Sequence, residues 1–403
     1  MQTSATYVWD GRRTTISVER IDTFLEYPDT IVNFPGIVTL DGDCLLLTAN
    51  HARHGDWSGE PIRVFLSEDG GATWNPLGSD SSFVDAHPVT GENFLSFAGG
   101  NYGYMNDGTI TRIDGQQVDQ EQYVWDRSEG PLHAIAQTPN HTFRWRRWSK
   151  SGEPLENRVI TLQNVPWETG SYESYAKILE LGDGELITAV GVLAGVPPRL
   201  PGVDRSGRPA YDMKFSSAII RSHDDGQTWE VTEAFHPWEH EQVYGIADRP
   251  VEEGFDENDL EIASNGDLVL IMRSGPTSPL FQTRSTDRGE TWSVPENVGW
   301  PGVKPRLHLL PNGVLACASG RGGYGHPQIT YVMLSLDGTG DHWEMPFAFH
   351  TGPGCSYTST MIRDGQLHVV YSHSDFTREL GTNQLPSQRI RRAVVNVEVE
   401  DGG

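Results

Sequence analysis

Short apolar segments, each broken by a tight turn of Gly, Asp or Asn, recur along the chain. Two short apolar runs around such a turn predict a β-hairpin. A degenerate copy, HPVTGENFLSFAGG, starts at His87. The five clear copies are NFPGIVTLDGDCLLLTA (33–49), SYAKILELGDGELITAV (174–190), DLEIASNGDLVLIMRS (259–274), KPRLHLLPNGVLACAS (304–319) and YTSTMIRDGQLHVVYS (357–372).

A second repeat has the pattern Ser-x-Asp-x-Gly-x-Thr-Trp. It occurs at residues 67–74, 222–229 and 285–292, with a looser copy, one residue longer, at 335–343. Short Ser and Asp side chains accept hydrogen bonds from the N–H groups of a turn, and the glycine supplies a positive φ. The Trp begins the next strand and can pack between neighbouring sheets. We therefore interpret these four octads as structural hairpin turns without a catalytic role.

Six repeated units of about four strands each predict an all-β fold. Radial repetition of four-stranded units leaves only short, protected sheet edges, which is typical of a β-propeller. We expect one domain over residues 1–403, with six blades and the first strand of each unit nearest the axis. A strand near TISVERI (15–21) is expected to close the last blade by pairing with RRAVVNVEVE (391–400).

The charge balance bears on the partners. The chain has 403 residues, with 30 basic and 55 acidic side chains and a formal net charge of −25. Such an acidic surface repels phosphate backbones, so we expect no nucleic-acid partner. No segment approaches the roughly 20 apolar residues of a membrane span, so no membrane partner is expected either.

The cysteines and the first residues of the chain indicate which cofactors and which cellular compartment to expect. Cys44, Cys317 and Cys355 have no zinc-site spacing, and the first two lie in apolar runs typical of packed thiols. We expect no required cofactor, although a structural calcium ion would leave no readable motif. The start has no basic stretch followed by an apolar run. The chain as given is therefore expected to be cytoplasmic, or secreted if a leader has been removed.

The octads, which match Asp boxes, and the hairpin repeats resemble the sialidase superfamily over nearly the whole chain. In that family a tyrosine is the nucleophile, a glutamate assists it, an aspartate is the general acid and three arginines clamp the substrate carboxylate. The resemblance implies these roles for Tyr357 as nucleophile, Glu261 as helper, Asp56 as acid and Arg273 as one clamp arginine.

Two clamp positions differ from the family pattern. Asn33 stands where the first arginine is expected, and His326 lies in the segment expected to hold the third, with Arg321 the nearest arginine. Losing two charge-assisted contacts to one carboxylate costs several kcal/mol of binding, on the order of 1.5–3 kcal/mol each. The resemblance therefore implies a glycan substrate but little cleavage of common sialosides.

The strand ends and loops of a propeller converge on one mouth of the channel, where function concentrates. We expect a funnel there of titratable side chains and of aromatic faces that stack on sugars. His51 and His87 are further candidates for proton transfer, because the histidine pKa lies near neutrality. The candidate substrate-binding residues are Arg273, Arg321, Asn33, Arg53, Trp57, Tyr102, Glu173, Arg306, His326 and His373.

Three functions remain open at this point. The leading one is an exo-acting glycoside hydrolase on a terminal sugar, with acidic sugars among the candidates. The second is a lyase on a uronate-containing glycan, in which a His/Tyr pair moves the protons. The third is a propeller that binds glycans without catalysis. Fold alone does not separate them.

Overall fold

The computed structural model describes most of the chain. The described residues are 3–26, 32–40, 42–50, 63–78, 87–88, 93–98, 103–106, 109–112, 117–119, 142–149, 154–166, 170–174, 176–196, 212–236, 254–275, 278–321, 328–352, 357–373 and 389–400. Within these ranges the chain is all-β, with no helix and therefore none that could span a membrane. This confirms the predicted all-β class.

Two strands precede the repeated units, namely β1 (Ser4–Trp9) and β2 (Arg12–Glu26). Sheet 1 then contains β3 (Asn33–Thr39), β4 (Leu45–Asn50), β5 (Arg63–Ser67) and β6 (Asn75–Gly78). Each strand pairs antiparallel with the next one in the sequence.

Sheet 2 carries an insertion and has no octad. Its strands are β7 (His87–Pro88), β8 (Asn93–Ala98), β12 (Thr142–Ser149) and β13 (Pro154–Thr161). The three strands between β8 and β12 form a small separate sheet of β9 (Gly103–Asn106), β10 (Thr109–Arg112) and β11 (Gln117–Asp119).

Sheets 3 and 4 follow. Sheet 3 contains β14 (Gly170–Ser174), β15 (Leu179–Gly182), β16 (Glu185–Val196), β17 (Asp212–Ser222) and β18 (Glu230–Phe235). The long β16 pairs with both β14 and β15, so these two strands share one position in the sheet. Sheet 4 contains β19 (Asn258–Ile262), β20 (Leu268–Met272), β21 (Pro279–Ser285) and β22 (Glu296–Pro301).

Sheet 6 joins the two ends of the chain. Sheet 5 comes before it, with β23 (Val303–Leu309), β24 (Leu315–Arg321), β25 (Gln328–Ser335) and β26 (Phe347–Gly352). Sheet 6 contains β27 (Thr358–Arg363), β28 (Gln366–His373) and β29 (Arg389–Glu400), followed in sheet order by β2 and β1. β2 pairs with β29 along nearly its full length, from Arg13–Glu400 to Glu26–Arg389.

Among the described residues, apolar side chains fill the spaces between five successive pairs of sheets. Ile187 of sheet 3 shares a buried cluster with Leu268 of sheet 4, and Val269 shares the next with Leu315 of sheet 5. Further clusters join sheets 2 and 3, sheets 5 and 6, and sheets 6 and 1. Because both faces of each inner sheet are covered, the central strands are apolar throughout, as in LVLIM of β20.

Each octad joins the third strand of its sheet to the fourth, away from the first strand. In the octad of sheet 3, Ser222 Oγ accepts the Gly226 N–H at 2.8 Å. Asp224 accepts the Thr228 N–H at 2.8 Å and the Thr228 hydroxyl at 2.7 Å. The octads of sheets 1 and 4 repeat these bonds. The octads therefore act as hydrogen-bonded turns.

Candidate active site at the ends of the first strands

The first strands of four sheets bring the site together. β19 packs on β23, β23 on β27, and β27 on β3. Tyr357 directly precedes β27, Glu257 directly precedes β19, and Arg273 directly follows β20. In an antiparallel hairpin the start of one strand lies beside the end of the next. All three side chains therefore lie at the same end of these strands.

Tyr357 and Arg273 are in direct contact. Arg273 Nη1 donates to Tyr357 Oη at 3.0 Å and to Glu257 Oε1 at 2.8 Å. The Tyr357 hydroxyl is also hydrogen-bonded to the Glu257 carboxylate. Since the phenol donates to the carboxylate and accepts from the guanidinium, the three groups form a closed hydrogen-bonded triangle.

The backbone fixes this triangle from two directions. The Arg273 N–H donates to the Glu257 carbonyl at 2.9 Å, and the Asp256 N–H donates to the Arg273 carbonyl at 2.9 Å. The second Glu257 oxygen, Oε2, accepts the Lys304 N–H at 2.7 Å. Lys304 has a φ of 42° at an irregularity of β23, which turns its N–H toward sheet 4. Both Glu257 oxygens are thus held in place.

Tyr357 is packed as well as bonded. The Phe34 ring lies edge-on to it, with centroids 4.5 Å apart and an interplanar angle of 84°. Burial, and then the negative charge of Glu257, raise the pKa of Tyr357 well above its usual value. The phenol is therefore protonated at neutral pH, with Glu257 beside it to accept the proton.

Glu261, the expected helper glutamate, is placed by the structure outside the contacts of Tyr357. Its carboxylate is bonded by Lys177 Nζ at 2.9 Å. Glu257 and Glu261 are four residues apart on one strand, about 13 Å at 3.3 Å per residue. The carboxylate that meets Tyr357 is therefore Glu257, which the sequence interpretation missed.

A second charged layer lies one step further along the strands. Asp259 is fully buried and accepts the Leu307 N–H at 2.7 Å and the Lys177 N–H at 3.0 Å. Its ion-pair partners are Lys177 Nζ at 3.2 Å and Arg306 Nη1 at 3.9 Å. Arg306, expected to bind substrate, is thus buried in this layer and not in the triangle.

These charges compensate one another. Burial acts to raise the pKa of Asp259, but Lys177 and Arg306 lower it below its usual value. Burial acts to lower the pKa of Lys177, but Asp259 and Glu261 raise it. Lys177 also donates to the Leu307 carbonyl. The layer is a buried ion cluster that ties sheets 3, 4 and 5 together.

Two histidine contacts complete the described surroundings. His308 Nε2 lies 2.7 Å from Thr360 Oγ1, and burial together with the charge of Lys177 lowers the pKa of His308 to about 3. His373, at the end of β28, lies 3.2 Å from His350, measured from Nδ1 to Nε2. Because Tyr371 pairs with Thr358, His373 is at the same end of sheet 6 as Tyr357.

Several predicted site residues lie outside the described part of the chain. For Asn33, His87, Glu173 and Arg321 the structure describes the strand backbone and not the side chain. The remaining candidates, wholly outside the described residues, are His51, Arg53, Asp56, Trp57, Tyr102 and His326. Among the described residues, no group of three or more His, Cys, Asp or Glu side chains could hold a metal ion.

Comparisons with known proteins support the family resemblance. The family described as a BNR repeat-like domain matches residues 175–369. No curated protein sequence matches the chain. This match is to a model of BNR repeats, and the structural likenesses below agree with the fold expected from the octads and the hairpin repeats.

Solved structures share the fold at low identity. A protein of unknown function from Dyadobacter fermentans is 15% identical with a TM-score of 0.65, covering 95% of this chain and 99% of its own. The Hadza microbial sialidase Hz136 is 18% identical with a TM-score of 0.53, covering 90% and 65%. An α-L-arabinanase from Penicillium chrysogenum, complexed with arabinobiose, is 14% identical with a TM-score of 0.50, covering 94% and 98%.

Proposed function

We propose that this protein is a glycoside hydrolase of the sialidase-like type whose centre is Tyr357, Glu257 and Arg273. One observation carries the proposal, namely the contacts of Arg273 Nη1 with Tyr357 Oη at 3.0 Å and Glu257 Oε1 at 2.8 Å. A phenol joined to a buried carboxylate and a guanidinium has a proton acceptor and a stabilising charge at hand. The likeness to a sialidase and an arabinanase supports a carbohydrate substrate.

The geometry supports a double displacement. Tyr357 Oη attacks the anomeric carbon while its proton passes to Glu257, and the positive charge of Arg273 stabilises the developing phenolate. The bond to the leaving oxygen breaks, and that oxygen takes a proton from a general acid. Asp56 is the acid that the family resemblance implies. Water then attacks the anomeric carbon and gives its proton to the deprotonated general acid, while the glycosyl–tyrosine bond breaks and the phenolate regains its proton from Glu257.

The substrate we propose is a terminal sugar that enters one mouth of a six-bladed propeller. The packing of sheet 6 against sheet 1, and the pairing of β2 with β29, support a closed ring of blades. A closed mouth admits a chain end, which favours exo action. Asn33 stands at a clamp position where sialidases have arginine, so we expect slow turnover of common sialosides.

A uronate lyase is the second candidate, favoured by the contact of His350 with His373 at 3.2 Å. Burial, and then the charges of His373 and Arg391, lower the pKa of His350 to about 4. His350 is therefore neutral at pH 7 and can accept a proton from a carbon acid, while Tyr357 delivers one to the leaving oxygen. The two reactions give different products, so one assay separates them.

The test begins with a panel of chromogenic glycosides and mixed plant, algal and animal glycans. New reducing ends without ultraviolet absorbance indicate hydrolysis, and absorbance of an unsaturated uronate indicates the lyase. Binding without product indicates a glycan-binding propeller and contradicts the proposal.

On the substrate found, Tyr357→Phe is expected to lower kcat by roughly 10² or more, the scale of an acid–base contribution, with little change in unfolding temperature. Tyr331→Phe is the matched control, because the Tyr331 hydroxyl is bound to the Pro301 carbonyl at 2.8 Å outside the triangle. If the kcat of Tyr357→Phe equalled that of the parent, this tyrosine would only line the pocket and would take no part in the reaction.

A further inference from the structure

A cleft lies where the two ends of the chain meet, outside the site described above. Its volume is about 310 Å³. The octad of sheet 1 forms one wall, and the β27–β28 hairpin forms the other. β2 and β29 contribute Arg20 and Arg392. We call it the junction cleft, because every wall belongs to the join between sheet 6 and sheet 1.

Two side chains of the junction cleft have unmet hydrogen-bonding groups. His368 is 3% exposed, and neither ring nitrogen has a hydrogen-bond partner among the described residues. Arg363 Nη1 is buried and likewise has no partner within the described ranges. Burying a polar group without a hydrogen-bond partner is unfavourable, because the group loses its bonds to water. Native structures keep few such groups, so two in one cleft call for a ligand.

The other atoms of Arg363 are already engaged. Its Nη2 pairs with Asp43, and its Nε lies 3.6 Å from Asp364. The guanidinium lies directly over Gly70, where a Cβ would come within 2.6 Å of Nη1. Arg363 is therefore fixed by partners on one side, and Nη1, its group without a partner among the described residues, lies beside Gly70 in the wall of the cleft.

Three arginines and two carboxylates line the cleft, and Asp22 and Asp43 beside it pair with those arginines. Burial, followed by the charges of Arg392, Arg20 and Arg363, lowers the pKa of His368 to about 4, although the carboxylate of Asp364 acts in the opposite direction. A positive potential at this imidazole disfavours a cation and favours an anion.

We propose that the junction cleft binds a small tetrahedral oxyanion, sulfate or phosphate, through N–H groups of Arg363 and His368. A tetrahedral oxyanion offers several acceptor oxygens to donors that arrive from different strands, and guanidinium groups match its geometry. The carboxylates of Asp69 and Asp364 also line the cleft. Their negative charges oppose an anion, so the donors of Arg363 and His368 have to outweigh them.

Occupation of the cleft would stabilise the join of the chain ends. The anion would contact sheet 6 directly, and the Arg392 Nη1 donates to the Gly70 carbonyl of the sheet 1 octad at 3.1 Å. A ligand that binds only the joined state raises the unfolding temperature by mass action. The inference is independent of the proposed reaction, so Tyr357→Phe is expected to bind the anion like the parent.

The experiment measures thermal unfolding of the full chain at pH 7 with 0–10 mM sodium sulfate or phosphate, at ionic strength matched with sodium chloride. We expect the Tm to rise with the logarithm of the anion concentration once this exceeds Kd, by about 2–4 °C at a hundredfold excess over Kd. Glucose 6-sulfate and glucose separate a free anion from a sulfated glycan. A response to glucose 6-sulfate beyond that to inorganic sulfate assigns the cleft to a sulfate ester.

Two variants and one spectroscopic measurement complete the test. Arg363→Met and His368→Leu should each abolish the rise, whereas Arg288→Met, an arginine of the sheet 4 octad, should keep it. If the variants unfold, histidine-labelled parent protein is titrated by NMR, where sulfate should shift one imidazole selectively. No rise in Tm of the parent protein beyond that with sodium chloride at the same ionic strength, or an equal rise with unsulfated glucose, overturns the proposal.

Discussion

Glu257, Asp259 and Glu261 alternate along one strand and therefore project from the same face at successive depths. Their charged partners differ: Glu257 pairs with Arg273, Asp259 with Arg306 and Lys177, and Glu261 with Lys177 alone. One strand thus supplies both an acid for the site and two acids for a buried ion cluster. The alternation alone does not show which carboxylate belongs to the site and which two belong to the ion cluster.

Ionisation of Tyr357 provides a prediction that needs no substrate. Glu257→Gln removes the negative charge that helps raise the pKa of Tyr357, so the pKa is expected to fall in that variant. The tyrosinate absorbance of the parent minus that of Tyr357→Phe follows this one phenol among 13 tyrosines. Titration from pH 8 to 12 of parent and variants gives the midpoint.

Glu261→Gln is the matched control for this titration, because it removes a carboxylate of the same strand face that is bonded to Lys177 instead. It is expected to leave the Tyr357 midpoint close to that of the parent. If Glu261→Gln lowered the midpoint and Glu257→Gln did not, the original assignment of the helper glutamate would be restored.

At the scale of elements, hairpin register carried more information than the family pattern. Ile262 pairs with Leu268 and Asn258 with Met272 around the Asn265–Gly266 turn. Continuing that count by one residue places Glu257 opposite Arg273. Counting outward from the turn would therefore have identified Glu257 from the sequence alone, whereas matching a motif selected Glu261.

Other parts of the site had no such signal. Nothing in the sequence around Lys177 marks it as the cation of a buried cluster, because its carboxylate partners lie about 80 residues away on another sheet, at Asp259 and Glu261. The local turns were predictable, since Ser, Asp, Gly and Thr at fixed spacing suffice to form them. Contacts between sheets depend on how the units pack.

The octads yield the second prediction, on stability. Ser285 is 1% exposed, and its Oγ accepts the Gly289 N–H at 2.7 Å and donates to Asp287 at 2.7 Å. Ser285→Ala leaves that N–H without its acceptor, so the free energy of unfolding should fall by about 1–3 kcal/mol. Urea denaturation measures the change.

Ser264→Ala is the control for the octad variant, because the Ser264 hydroxyl is exposed and bonds the Asp337 carbonyl. Its effect should remain within about 0.5 kcal/mol. The activity of Ser285→Ala on the substrate found should equal that of the parent. The octad joins the last two strands of sheet 4, whereas the site lies beside β19, the first strand. Equal midpoints for the two serine variants would argue against a structural role for the octad bonds.

At the scale of the whole molecule, an arginine from each of four sheets contacts the octad of the next sheet. Arg147 of sheet 2 donates to the Asp225 carbonyl at 3.0 Å, and Arg221 of sheet 3 bonds Glu290 of the sheet 4 octad at 2.5 Å. Arg284 of sheet 4 donates to the Thr339 carbonyl at 2.5 Å. Arg392 of sheet 6 repeats the contact with the sheet 1 octad. One type of contact thus runs through the sheets and includes the join of the chain ends.

Proton linkage gives the third prediction. The pKa values of His308, His350 and His368 are lowered to about 3, 4 and 4 in the folded state. Below the unfolded histidine pKa of about 6.5 the unfolded chain binds protons that the folded chain does not. Stability is therefore fully present above pH 6.5 and declines as the pH falls toward 4, by roughly 1.4 kcal/mol per pH unit for each such proton.

The measurement is urea unfolding between pH 7 and pH 5. His308→Gln should reduce the pH slope by about one proton, because its amide can still bond Thr360 but does not titrate. His342→Gln, at a side chain that is 57% exposed, should keep the parent slope. A His308→Gln slope as steep as that of the parent would mean that this histidine titrates normally in the folded protein.

The pairing of β2 with β29 leads to the last prediction. β2 buries Ile16 completely and Phe24 to 5% exposure, and Asp22 holds Arg392 at 2.5 Å. A chain that begins at residue 27 would expose the edge of β29, the apolar cluster behind it and an unpaired guanidinium. We expect this truncation to lose the cooperative unfolding transition of the parent and to aggregate, as seen by calorimetry and gel filtration.

Removal of residues 1–9 alone takes away only β1, whose side chains are largely exposed, and should leave one transition at a slightly lower temperature. A synthetic peptide of residues 10–26 should restore the transition in the longer truncation, because an added strand can supply both the ladder bonds and the buried side chains. If the two truncations unfolded at the same temperature, sheet 6 would be stable without its N-terminal strand.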